Sequence, residues 1–219
     1  MVAIVFDLDG TLVQSAPDIH SAVNHMLVQN GHDELSLGVV TSFIGNGVPK
    51  LIEQAMIALD IAITDTTHAR LMKQFSDFYA ENPVGKSYLF DGVVPALEKL
   101  SSAGHKLAVC TNKPFGMTTK VLDGLNISPF FGAVIGGDSL PVNKPDPAML
   151  FKVLDILEVK DCFYIGDSEV DASTAENARQ AFFFYTEGYS KIPFDEMVAE
   201  AKFSHFDELC GLIEKRIAV

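Results

Sequence analysis

Asp7 and Asp9 stand one residue apart in Asp7-Leu-Asp9-Gly10-Thr11, after the apolar run Val2-Ala-Ile-Val-Phe6 and before Leu12-Val13. The run reads as a buried strand over residues 3–7, ending in two carboxylates and a glycine turn. Residues i and i+2 of a strand point to the same side, so both acids could reach one pocket beyond the strand's carboxyl end. Carboxylates that close repel and desolvate each other, and a cation beside them relieves both effects. The pair points to a metal-assisted reaction on an anion, one carboxylate attacking and the other handling a proton.

Acids, hydroxyls and lysines recur where other strands should end. Lys106 to Thr111 reads as a strand followed by Asn112 and Lys113; Ala133 to Gly136 is followed by Gly137, Asp138, Ser139 and then Lys144; Cys162 to Gly166 is followed by Asp167, Ser168 and Asp171. Each alone has an ordinary reading: a turn cap at Thr111-Asn112, a solvated Lys144, a helix N-cap at Asp167. Together they deliver polar groups to one rim, where open α/β sheets bind ligands.

The positioning elements follow from periodicity. Continuous apolar strands, closing with Gln180 to Tyr185, alternate with helices at 91–103, 115–125, 146–157, 169–179 and 206–216. Asp146 is the expected cap of the third, with Pro147 at its first position. This pattern predicts an α/β fold with a parallel sheet covered on both faces. Residues 17–81 read as helical throughout: Ile19, Ala22, Val23, Met26 and Leu27 recur at helical spacing, Ser36 caps a short helix to Phe43, and segments 48–59 and 66–79 follow. This is an insertion of about four helices, joined near Val13–Pro17 and Ala80–Leu89. The expected division is a core of residues 1–14 and 83–219 and a helical cap of residues 15–82.

In order, Asp7-x-Asp9-Gly-Thr, Thr111-Asn112, Lys144 and Gly166-Asp167-x₃-Asp171 resemble the four motifs of the haloacid dehalogenase superfamily, and the resemblance spans essentially the whole chain. It implies a Rossmann-like core with a helical cap. It also implies an aspartyl-phosphate formed on Asp7, with Asp9 as acid and then base. Mg²⁺ would be held by Asp7, Asp167 and the Asp9 carbonyl, phosphate by the Thr111 hydroxyl and Asn112 N–H. Lys144 would neutralise Asp7, and Asp171 would orient the surrounding groups. Family dehalogenases lack an acid at the position of Asp9, because a halide needs no proton on leaving. Its presence favours phosphate ester hydrolysis.

Ser15-Ala-Pro-Asp18, Gly45-Asn46-Gly47, Thr111-Asn-Lys-Pro114 and Gly137-Asp-Ser-Leu-Pro141 resemble bacterial phosphoglycolate phosphatases. That implies 2-phosphoglycolate as substrate, its carboxylate near Lys113 and the Gly45–Gly47 loop. The loop reads alternatively as a plain turn. Asn143 departs from the basic residue that many such enzymes carry before the motif III lysine. Sugar and amino-sugar phosphates are the main alternative substrates; pyrophosphatase, nucleotidase and phosphomutase activities are others. A mutase needs cap cations for a second phosphate, and the cap offers only Lys50, Arg70 and Lys73 as strong ones.

Composition sets outer bounds. A net charge of −13 argues against nucleic acid and anionic membranes as partners. No apolar run reaches the ~18 residues of a membrane span, and the short first run ends at Asp7, unlike a signal peptide. Cys110, Cys162 and Cys210 show no metal-ligand spacing and read as reduced thiols. These features fit a cytoplasmic monomer or homodimer acting on a small phosphorylated metabolite.

Overall fold

The computed structural model describes residues 2–218. Six parallel strands form the sheet: β1 (Ala3–Phe6), β4 (Lys106–Cys110), β5 (Phe131–Ile135), β6 (Cys162–Gly166), β7 (Ala181–Tyr185) and β8 (Ala201–Phe203), in the order β5-β4-β1-β6-β7-β8. β1 is apolar throughout because both its faces are covered. Ala3 and Val5 join one buried cluster, with Met149, Leu150 and Tyr164; Ile4 and Phe6 join the other, with Leu97, Val121 and Phe206. The chain runs outward from β1 through β4 to β5, then returns to pair β6 on β1's other side. That reversal opens a crevice at β1's carboxyl end, where such sheets bind ligands.

Helices α5 (Val93–Ser102), α6 (Phe115–Gly124) and α9 (Phe206–Ile217) cover one face; α7 (Ala148–Leu157) and α8 (Glu169–Ala178) cover the other. The expected cap of α7 shifts by one residue. Pro147 occupies the cap position, and Asp146 reaches past it to accept from the Ala148 N–H at 2.9 Å.

Four helices are inserted after the first strand: α1 (Ala16–Gln29), α2 (Leu37–Thr41), α3 (Gly47–Ala58) and α4 (Asp65–Glu81). The apolar stripe of α1 is buried as its spacing predicts, and α1 packs on Leu71, Phe75 and Tyr79 of α4. Each such fully buried side chain contributes roughly 1.5–3 kcal/mol. Ser36 accepts from the Val39 N–H and caps α2, which ends at Thr41, two residues before Phe43. The two connections to the sheet pair with each other as a short antiparallel ladder, β2 (Val13–Gln14) with β3 (Tyr88–Leu89). No described helix is long and apolar enough to cross a membrane.

Candidate active site

Asp7 continues the β1–β6 ladder by one residue, its N–H bonded to the Ile165 carbonyl at 2.9 Å. Its buried carboxylate meets Lys144, which also arrives from beyond a strand end: Nζ lies 2.8 Å from Asp7 Oδ1 and 2.6 Å from Asp171 Oδ1. The Tyr164 hydroxyl accepts from Lys144 Nζ at 3.0 Å and itself lies 3.0 Å from the Cys110 carbonyl and Asp171 Oδ1.

Asp171 is fixed by local helix chemistry. Ser168 caps α8, and Asp171, three residues on, returns a bond to the Ser168 N–H, closing a capping box. Its Oδ2 also takes the Ser168 hydroxyl at 2.5 Å and the Asp167 N–H at 3.3 Å. Both oxygens of Asp171 are therefore engaged within the protein. Asp167 accepts from the Thr11 hydroxyl and from the Tyr189 N–H, each at 2.6 Å. Gly10 makes this approach possible: its φ is +90°, and a Cβ there would meet Asp167 Oδ2 at 2.4 Å.

The charges are unbalanced. Burial pushes the Asp7 carboxyl up, Lys144 pulls it back, and the outcome is about 6. Asp167 is raised well above the ordinary range by burial and by repulsion from Asp171 and Asp7. Burial opposes the charge on Lys144, but Asp171 and Asp7 more than restore it and hold the lysine above its usual range. Asp7, Asp167 and Asp171 each bring a carboxylate oxygen into a group spanning no more than 4.8 Å. Buried acids in excess over one lysine form a hard oxygen donor set, which fits Mg²⁺.

On the opposite side of Asp7 a small cavity runs between the sheet rim and the inserted helices. It is lined by Asp9, Thr111, Asn112, Lys113, Gly45, Gly47 and Tyr79, with Ile19, Ile44, Val48, Leu51, Phe75 and Met117 as apolar walls. Its volume is about 40 Å³, room for about three waters. Lys113 does not point freely into this space: Nζ sits 3.0 and 3.1 Å from the two oxygens of Asp9.

Thr111 is buried on the cavity wall, and its hydroxyl oxygen accepts from the Lys113 N–H at 3.3 Å. The side chain of Asn112 has a job of its own. Its amide donates to the Gly45 carbonyl at 3.0 Å and the Lys144 carbonyl at 3.2 Å, and its oxygen accepts from the Lys144 N–H at 2.9 Å. Asn112 thereby fastens the loop before α3 to the segment carrying Lys144. Gly47, at φ +81°, lets the loop lie against the Asn112 carbonyl, which a Cβ would approach to 3.3 Å. Asn46 is exposed and borders the adjoining pocket with Asp167 and Tyr189. Asn143 is also exposed and lines neither pocket.

The structure therefore brings Asp7, Asp9, Thr111, Asn112, Lys113, Lys144, Asp167, Asp171 and Gly45–Gly47 to one crevice. Tyr164, Tyr189 and Tyr79 join them without having been foreseen. Tyr164 left a trace: a tyrosine inside a buried strand needs a partner for its hydroxyl.

Residues 4–184 match the haloacid dehalogenase-like hydrolase family, and the chain belongs to it. A phosphoglycolate phosphatase of Cereibacter sphaeroides is 43% identical over the full length of both chains. One of Rhodobacter capsulatus is 38% identical, covering 97% of this chain and 96% of its own. Among solved structures, a predicted phosphoglycolate phosphatase from Haemophilus somnus superposes with a TM-score of 0.91 at 31% identity, over 96% of this chain and 97% of that one. The phosphoric monoester hydrolase implied by the motifs agrees with these relatives.

Proposed function

We propose that this chain is a Mg²⁺-dependent phosphatase that hydrolyses 2-phosphoglycolate through a phosphorylated Asp7. The observation that carries the reading is the cluster around Asp7: a buried carboxylate beside one lysine, with Asp167 close enough to share a cation. Asp7 and Asp167, with the Asp9 carbonyl, would hold Mg²⁺, which when bound supplies positive charge to the transferring phosphoryl oxygens.

Asp7 attacks phosphorus as the ester P–O bond breaks, and Asp9 gives its proton to the leaving alkoxide. Asp9 then takes a proton from water, which attacks the acyl phosphate, releasing phosphate and restoring Asp7. Lys144 orients Asp7 and offsets its charge. The Thr111 hydroxyl and the Asn112 N–H bind phosphate oxygens. Asp171, with both oxygens committed to neighbours, positions Lys144 and the Asp167 backbone. Residues 15–82 act as the cap that selects substrate. The substrate's carboxylate draws Lys113 away from Asp9 and leaves Asp9 free to transfer protons. The setting we propose is cytoplasmic, with a small phosphorylated metabolite as partner.

Full-length relatives, a small cavity and its lysine support a short acidic ester. Sugar and amino-sugar phosphates need partners for several hydroxyls, and the far walls are apolar. Lys50 and Lys73 pair on the surface with Glu53 and Asp77, and Arg70 with Asn30, so none serves a second phosphate in this arrangement. The test is phosphate release from 2-phosphoglycolate and a panel of sugar phosphates, with Mg²⁺ and with EDTA. The highest kcat/KM should be for 2-phosphoglycolate and should vanish in EDTA. Asp7→Asn should lose at least about 10⁴-fold, and Asp9→Asn about 10²–10⁴-fold. Preference for a sugar phosphate would overturn the substrate, and metal-free turnover the mechanism.

A further inference from the structure

Tyr79 ends the apolar stripe of α4, one turn beyond Phe75 and two beyond Leu71. Its ring belongs to the core and the residue is 1% exposed, yet its buried hydroxyl has no hydrogen-bond partner. A buried donor left unmet is costly, and phenylalanine would fill the same space without that cost. Three buried side-chain atoms lack a partner among the described residues: Ser15 Oγ, Gln54 Oε1 and Tyr79 Oη. Of these residues only Tyr79 lines the cavity beside Asp7.

Lys113 Nζ stands 4.4 Å from the centroid of the Tyr79 ring. The phenol and the ammonium thus belong to one cavity, whereas Asp167 borders the adjoining pocket. Burial pushes the phenol up, so it stays protonated and can donate. Lys113 is held by Asp9; a carboxylate can compete for that lysine and also accept from the unspent donor, whereas a neutral group cannot draw the lysine away.

We propose that Tyr79 is a specificity-determining residue whose hydroxyl donates a hydrogen bond to the substrate's distal carboxylate, next to Lys113. This rests on the reading that the substrate is a phosphorylated two-carbon acid. A site built around such a donor discriminates strongly against analogues that cannot accept from it.

The experiment compares wild type and Tyr79→Phe on 2-phosphoglycolate and on ethyl phosphate, which lacks the carboxylate, with Mg²⁺, and adds a thermal melt of each protein. Wild type should prefer 2-phosphoglycolate. Tyr79→Phe should lower kcat/KM for 2-phosphoglycolate by about 10- to 100-fold, mainly through KM, and change ethyl phosphate less than about twofold. Its Tm should hold or rise, because an unpaired buried hydroxyl has been removed. A Tyr79→Phe enzyme that keeps the wild-type preference overturns the proposal and leaves the substrate standing. Equal losses on both esters with a lowered Tm would reduce Tyr79 to packing and overturn it too. A wild type indifferent to the carboxylate overturns the substrate reading, and the proposal with it.

Discussion

Asp7 shares its burial with Asp167 and Asp171, and Lys144 is the cation set among them. In the folded protein Asp7 titrates near 6, against an ordinary value of 3.8. Below the lower value it is protonated in both folded and unfolded chains. As pH rises through that window the unfolded chain releases the proton and the folded chain keeps it. Stability therefore falls with rising pH, by up to about 3 kcal/mol. A cation that binds the ionised form recovers the loss. Thermal melts in EDTA and in Mg²⁺ should diverge as pH rises from about 4 to about 7, and Asp7→Asn should shrink the divergence. An equal gain from Mg²⁺ at both ends of the range would contradict this. The acids and Lys144 were legible in sequence because each follows a strand whose apolar run is unmistakable. Tyr79 was not, because its spacing from Leu71 and Phe75 is that of a core stripe and nothing in sequence shows an unpaired hydroxyl.

Strands and helices place these residues through few devices. β1 sits where the sheet reverses direction, so one residue past its end is already in the crevice. The α8 capping box holds Asp171 over that crevice. The crossings into the inserted helices are pinned by Asp18, in the first turn of α1. Its carboxylate accepts from the Lys86 N–H at 2.9 Å, the Ser87 N–H at 2.7 Å and the Ser87 hydroxyl at 2.6 Å. Asp18→Ala would strand these donors and should cost about 3 kcal/mol, a fall in Tm of about 10 °C. A melt displaced by only a degree or so would show the crossings held by other means. Five of the six sheet strands and the nine α-helices among the described residues were legible, since each runs over four or more residues. β8 has three residues and β2 and β3 two each, too few for any period. The Asp18 pin is made largely with backbone N–H groups, which carry no sequence signal.

Seen whole, the molecule carries a net charge of −13, and its surface field repels anions within a Debye length. In the crevice the two buried lysines, Lys113 and Lys144, are paired with Asp9, Asp7 and Asp171, so positive charge toward an anion there has to come from a bound cation. At the cavity the Asn112–Gly45 bond joins the inserted helices to the sheet rim. That bond was not foreseen: the resemblance implied a phosphate contact for the Asn112 backbone N–H and no task for its side chain. The proposed mechanism requires one covalent bond, formed and broken on Asp7 in each turnover. The direct measurement is to quench the Mg²⁺-loaded enzyme with acid during steady turnover of 2-phosphoglycolate and map phosphate on its peptides. Phosphate on Asp7, missing from the Asp7→Asn protein, is the predicted result. Steady release of phosphate with no phosphorylated Asp7, or with turnover surviving in Asp7→Asn, would contradict it.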